Sequence, residues 1–150
     1  MDEWAWQNEL ATATERALRA LGEGRDPLVY SAAGPDDPAV HALRTAVATA
    51  SVPLEAVNDR IGAGLGRVLE GVLRKSQLTR AVISGGDSSS HAASVLGVYA
   101  LTAVAPIAPG SPLCRAHSSD PALAGLEIAL KGGQVGRPDF FWAVKRGGAN

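Results

Sequence analysis

The sequence predicts an α/β fold, with a layered and mostly parallel sheet flanked by helices. Short apolar runs of strand length alternate with longer segments whose apolar residues recur every three or four positions, and this alternation is typical of such layers. Hydrophobic residues make up 46% of the 150 residues and charged residues 19%, so a buried core is expected. The length and the absence of a linker predict a single domain over residues 1–150.

The first half of the chain is predicted to be mostly helical. A helix is expected over 4–21, where Trp6, Leu10 and Leu18 lie on one stripe before a glycine stop. The apolar run 27–31 predicts a buried strand. Asp37 and Pro38 predict the start of a helix that reaches about residue 50, and the longest helix begins at Ser51 or Val52.

The second half is predicted to hold the remaining strands. Buried strands are expected at 80–84, 98–104 and 126–131, with an extended loop over 105–120. A helix follows the first of these strands and ends near residue 97, and a short helix runs from Pro138 to Lys145. Gly62, Gly64 and Gly66 imitate a dinucleotide fingerprint, but they lie inside the longest helix, where small residues favour close packing.

Composition argues against nucleic acid and a membrane as partners and indicates a cellular location. Lys plus Arg is 14 and Asp plus Glu is 15, so no basic excess favours nucleic acid. The uncharged stretch 92–114 is broken by glycine and proline, which argues against a membrane span. Cys114 is the only cysteine and the first residues are not a secretory signal, so a cytoplasmic location is expected.

Two strand-to-helix corners are the candidate site. Gly85, Gly86, Asp87 and Ser88 follow one strand, and a second glycine turn follows another, with members Lys131, Gly133 and Gly136. Glycines let an anion approach the free amides of a helix start, and ligands of open α/β sheets bind at the carboxyl ends of strands. The two corners therefore predict a phosphate cradle, whereas simple tight turns with Asp87 as a helix cap are the structural alternative. The three histidines are too scattered to predict a metal site.

At these corners the chain resembles the C-terminal, nucleotide-binding domain of the four-carbon acid sugar kinases. The family's GGDT corner matches residues 85–88 with serine for threonine. Its E-I-A-P-G-x-P stretch matches 106–112 with the glutamate replaced. Its L-K-S-G-N-F-G turn appears at 130–136 as L-K-G-G-Q-V-G, with three departures. The resemblance is dense from 82 to 142 and thin before that.

The resemblance implies ATP binding, Mg²⁺ and phosphoryl transfer to a hydroxyl of a tetronate-type sugar acid. It implies nucleotide contacts from the glycines, Asp87 and Ser88, and Asp87 is a candidate for holding magnesium or orienting the phosphoryl group. The family's N-terminal domain, which holds the sugar acid, and its G-S-x-S segment are absent from these residues. The isolated chain is therefore expected to bind nucleotide weakly and to catalyse little.

The alternative from another class is a non-catalytic interaction module. It would pair with another chain, as a homodimer or a swapped arrangement, through an exposed sheet edge or the Trp4/Trp6 end.

Overall fold

A computed structural model describes residues 2–133 and 136–148, without the side chains of Asp87 and Ser88. Its elements, in chain order, are helices α1 (Glu3–Gly22), α2 (Pro38–Ala50) and α3 (Leu54–Lys75), strand β1 (Arg80–Ser84), helix α4 (Gly86–Val95), strands β2 (Val98–Ala108), β3 (Ser111–Ser118) and β4 (Glu127–Lys131), and helix α5 (Phe140–Arg146). The α/β class is thus confirmed.

The four strands form one sheet in the order β1-β4-β3-β2. β1 and β4 are parallel, whereas β4 pairs with β3 and β3 with β2 in antiparallel fashion. The sheet is therefore mixed rather than mostly parallel. The reason is that β2 and β3 are joined by a hairpin, which forces neighbouring strands to run in opposite directions.

That hairpin replaces the predicted loop over 105–120. β2 continues four residues beyond the predicted end at Val104, and the chain reverses at Pro109 and Gly110. Gly110 has a φ of +74°, a value that glycine adopts without strain. The proline and glycine that interrupt the apolar pattern are therefore the hairpin turn.

The predicted strand at 27–31 is wrong. These residues are irregular, and Leu28 is 66% exposed and Tyr30 61% exposed. An apolar run becomes a strand only where a neighbour supplies ladder hydrogen bonds, and the partner of β1 is β4 instead.

Helices cover both faces of the sheet. On one face α3 and α4 pack onto a buried cluster that includes Ile83, Leu96 and Ile128. On the other, α5 contributes Phe140 and Val144 to a second cluster. Ile128 and the adjacent Ala129 point to opposite faces of β4 and are both fully buried, which explains the continuous apolar character of that strand.

Glycines allow α1, α3 and α4 to pack closely against one another. A Cβ added to Gly64 would lie 2.6 Å or less from the Trp6 ring, and one added to Gly66 would lie 2.9 Å from the Cα of Ala92. Gly62 faces the ring of His91 in the same way. The prediction that these glycines serve helix packing, and not dinucleotide binding, agrees with these contacts.

The local signals of the helices are confirmed. The Asp37 side chain accepts a hydrogen bond from the Ala39 amide, and Pro38 occupies the first turn of α2. No helix in residues 2–133 and 136–148 has both the length and the apolar character needed to cross a membrane.

Candidate nucleotide-binding corners

The two glycine corners lie side by side at one edge of the sheet. The parallel register places Ser84, the last residue of β1, opposite Lys131, the last residue of β4. Just beyond, the Gly85 amide donates a hydrogen bond of 2.9 Å to the Lys131 carbonyl. This hydrogen bond joins residues 46 positions apart in the chain, at the point where both strands end.

The first corner turns abruptly from β1 into α4. Gly85 has φ +119° and ψ +137°, a conformation open essentially to glycine alone. It is also the N-cap of α4, so the cap residue has no side chain to offer the first amides of that helix. A Cβ added to Gly86 would have no neighbour within 4 Å. Among the described side chains, none would contact a Cβ at Gly86.

Ser89, the second serine after Asp87, contacts the backbone of its own turn. The Ser89 hydroxyl donates to the Gly85 carbonyl at 2.5 Å, and the Ser89 amide bonds to the same oxygen. The Ser89 hydroxyl therefore bonds to the backbone four residues earlier. Because α4 begins at Gly86 with Gly85 as its N-cap, the alternative that Asp87 caps this helix is wrong. The side chains of Asp87 and Ser88 lie outside the described part, so their predicted roles toward a nucleotide stay predictions.

The second corner is held by a lysine that folds back over its own turn. Lys131 Nζ donates to the carbonyls of Gly132 and Gly133 at 3.1 and 3.0 Å and lies 5.9 Å from the centroid of the Phe140 ring. These bonds use two of the three ammonium donors, which leaves one for an anion. A Cβ at Gly133 would meet nothing within 4 Å, so this turn is also open.

Gly136 has a structural role in the same corner. Its φ is +97°, and an added Cβ would lie 2.7 Å from Phe140 Cδ2. Residues 134 and 135 of the matched turn lie outside the described residues. The final helix begins at Phe140, two residues later than predicted, because Asp139 precedes it as the N-cap.

Sequence reasoning missed one residue that supports this corner. Ser111 is fully buried, and its hydroxyl donates a 2.8 Å hydrogen bond to the carbonyl of Leu130, next to Lys131. It follows the hairpin turn within the matched 106–112 stretch, and that motif was the only available signal.

Helices α1, α3 and α4 run in the same direction. Glu3 of α1 contacts Arg60 of α3, and Thr14 lies beside Gly71, so these helices are parallel. His91 and Val95 of α4 lie beside Gly62 and Gly66, so α4 is parallel to both. The N-termini of all three therefore face the end of the sheet that holds the corners. This orientation favours negative charge there, most directly at the start of α4.

His91 of α4 contacts α3. Its Nε2 lies 3.1 Å from an Asp59 carboxylate oxygen, and the ring packs over Gly62. His91 therefore joins α4 to α3.

The described glycines of both corners lie at the protein surface. Gly86 and Gly133 are exposed. A cavity of about 410 Å³ lies between α1 and residues 25–30, and another of about 190 Å³ lies beside Trp6 and Arg60. Neither of these two cavities is lined by a corner residue.

Comparison with known proteins identifies the family. Residues 1–141 match the family described as the nucleotide-binding C-terminal domain. The chain is 42% identical over 139 residues to a 3-oxo-isoapionate kinase of Paraburkholderia graminis, which covers 93% of this chain and 30% of that protein. It is 34% identical over 131 residues to a 3-oxo-tetronate kinase of Cupriavidus necator, which covers 87% of this chain and 28% of that protein.

Solved structures share the fold. A Haemophilus influenzae protein superposes with a TM-score of 0.66 at 25% identity, over 90% of this chain and 30% of that one. A Bordetella bronchiseptica domain of unknown function, a domain-swapped dimer with bound citrate, gives 0.52 at 24% identity over 56% of this chain and 20% of that one. The chain spans about 30% of the length of the curated relatives it matches. As the resemblance to the four-carbon acid sugar kinases predicted, the chain belongs to the nucleotide-binding C-terminal domain family.

Proposed function

We propose that this chain is the ATP-binding part of a kinase that transfers a phosphoryl group to a hydroxyl of a small sugar acid. One observation carries the proposal: the hydrogen bond from Gly85 to Lys131 joins the two glycine corners at the carboxyl ends of parallel strands. Membership of a nucleotide-binding family and the kinases among its relatives support the same conclusion.

The proposed nucleotide contacts are those predicted from the sequence. The amides at Gly85 and Gly86, with the start of α4, would face one part of the polyphosphate, and Asp87 and Ser88 belong to the same turn. Lys131 and the Gly133–Gly136 turn would face another part. The open space at Gly86 and Gly133 fits this role, because a Cβ there would fill the room that a phosphate needs.

Mg²⁺ is proposed to arrive with the nucleotide. Among the described residues no group of three acidic, histidine or cysteine side chains could hold a metal ion. Magnesium in kinases is commonly bound through one or two carboxylates together with the substrate phosphates. Asp87 is the proposed protein carboxylate, because it immediately follows the first glycine pair.

The corners supply positioning and charge neutralisation, which is most of what phosphoryl transfer requires from a protein. Amides at the start of α4 and the Lys131 ammonium would hold the phosphates and offset their charge. The sugar acid is proposed to be a 3-oxo acid like the substrates named for the relatives, held by a separate domain that closes the exposed side of the corners. We infer a cytoplasmic location, where ATP is available and a lone cysteine remains reduced.

Calorimetric titration with Mg-ATP tests the site. We expect the parent chain to bind, and Gly86→Val and Gly133→Val to lose binding while their thermal unfolding without nucleotide stays close to that of the parent. Gly34→Val is the matched control, because Gly34 also has open space but lies in the loop before α2. If both corner variants bind Mg-ATP like the parent, the site lies elsewhere.

The second candidate is a non-catalytic interaction module. The apolar exposure of β2 favours it, since Tyr99 is 74% exposed. Absence of both binding heat and thermal stabilisation with Mg-ATP in the parent chain would favour this module over the kinase function.

A further inference from the structure

The end of β4 contacts both glycine corners. The Lys131 carbonyl accepts the hydrogen bond from the Gly85 amide of the first corner. The Lys131 ammonium lies over the second turn, where it donates to the carbonyls of Gly132 and Gly133. The position of the peptide group between Leu130 and Lys131 therefore affects both corners.

β3 cannot hold this peptide group with an ordinary sheet hydrogen bond. The Ala116 amide of β3 donates to the carbonyl of Leu126, and the same register continues along β4 toward the hairpin turn. In an antiparallel pair every second residue exchanges backbone hydrogen bonds with the residue opposite. This pattern brings Pro112 opposite Leu130. Proline has no N–H, so the Leu130 carbonyl receives no backbone donor from β3.

Ser111 supplies the missing donor from the neighbouring position. Its hydroxyl donates to the Leu130 carbonyl at 2.8 Å. Ser111 is 0% exposed, so the hydroxyl is shielded from water. Without it the carbonyl would have no donor from β3, because Pro112 cannot provide one. The last peptide group of β4 would then shift more easily relative to Gly85.

We propose that Ser111 is a positioning residue of the nucleotide site. Through the Leu130 carbonyl it fixes the end of β4, and the Lys131 carbonyl in turn fixes the Gly85 amide at the start of α4. Ser111 thus acts on the first corner from the hairpin, without touching the nucleotide. Its effect on nucleotide affinity rests on the proposed function, whereas its effect on the Gly85 amide does not.

Amide hydrogen exchange of the whole chain, followed by NMR, tests the positioning. In Ser111→Ala we expect the Gly85 amide to exchange about tenfold faster than in the parent, because its acceptor is held less firmly. The Ala116 amide, which bonds to Leu126 in the same pair of strands, is the internal reference for a general loss of stability. In calorimetric titration, the same substitution should weaken Mg-ATP binding by about threefold to tenfold.

Two variants separate positioning from a general loss of stability. Ser111→Ala combined with Pro112→Ala restores a backbone N–H opposite the carbonyl that lost its donor, so Gly85 exchange and Mg-ATP affinity should return toward the parent values. Ser118→Ala is the matched control, because the Ser118 hydroxyl also donates to a carbonyl, that of Leu96 at 2.7 Å, at the other end of β3. This control should leave the exchange of the Gly85 amide and the Mg-ATP affinity as in the parent.

Three results would overturn the role of Ser111. The first is a Gly85 amide that exchanges in Ser111→Ala as it does in the parent, relative to Ala116. The second is a double variant that behaves like Ser111→Ala, and the third is an unchanged Mg-ATP affinity in Ser111→Ala. A parent chain that does not bind Mg-ATP would refute the proposed function, and Gly85 exchange would still decide whether Ser111 positions the corner.

Circular dichroism checks the folding of each variant. If Ser111→Ala does not fold, Ser111→Cys repeats the test with a side chain of similar shape and a much weaker donor. Faster exchange of the Gly85 amide in this variant supports the positioning role, and parent-like exchange overturns it.

Discussion

Gly66→Ala should reveal how closely α3 and α4 approach each other. The added Cβ would lie 2.9 Å from the Cα of Ala92 and 3.2 Å from the Cβ of Val95. Ordinary carbon contacts are about 3.5–4.0 Å, so the helices must separate by roughly 0.5–1 Å. Backbone atoms cannot rotate away, and α4 must therefore move as a unit.

The size of the effect follows from two opposing contributions. Replacing glycine by alanine inside a helix stabilises it by about 1 kcal/mol, whereas overpacking costs about 1–3 kcal/mol. Gly71→Ala in the same helix is the matched control, because its Cβ would lie 3.2 Å from a side-chain methyl of Thr14, which can adjust. Both variants gain the same propensity, so the difference between them is the steric cost.

Urea unfolding of the two variants measures this difference. We expect Gly66→Ala to be less stable than Gly71→Ala by about 1–2 kcal/mol at an unchanged denaturant slope. A Gly66→Ala chain that is as stable as Gly71→Ala would refute the close approach of the helices. Since α4 begins at the first corner, displacement of this helix should also weaken Mg-ATP binding.

Three further predictions follow from buried and capped residues. Ile128→Ala should lower the free energy of unfolding by about 2–5 kcal/mol, because Ile128 is 1% exposed in the central strand β4; a loss below about 1 kcal/mol in urea unfolding would contradict this packing. Hydrogen bonds from the amides of Ala33 and Ala39 lower the pKa of Asp37, so its stabilising effect is present above the unfolded-state pKa and is lost as the pH falls through the folded-state pKa. Asp37→Ala should therefore have a lower melting temperature at neutral pH and a smaller loss of stability on acidification, and parallel acid limbs for the two proteins would contradict the cap. Burial raises the pKa of the Cys114 thiol, so it should react with a disulfide reagent much more slowly in the folded chain than in urea, and equal rates would show that the thiol is accessible.

Much of the fold and of the candidate site could be predicted from local patterns. The helix boundaries depend on signals within a few residues, such as the Asp37 cap with Pro38 and the stripe that defines α3. The corner at Gly85 was also visible, because a buried apolar run ended directly in two glycines. Its proximity to Lys131 was expected, because the carboxyl ends of parallel strands lie at the same edge of a sheet.

The errors concern strand pairing and burial, since residues 99–104 are exposed where a buried strand was predicted. The run 27–31 has the composition of a strand but has no neighbouring strand to pair with in the described structure. The segment 105–120 was predicted as a loop because of its prolines and glycine, although it contains the turn and second strand of a hairpin. Backbone pairing joins residues far apart in the chain, so no window of sequence contains the information.

The sequence by itself determined the helices, the glycine corners and the family, because capping, periodicity and motif spacing are local properties of the chain. The tertiary structure alone decided the mixed direction of the strands, the open edge of β2 and the fold-back of Lys131 onto its own turn. These features depend on which segments find each other in space and on where the helical layers end.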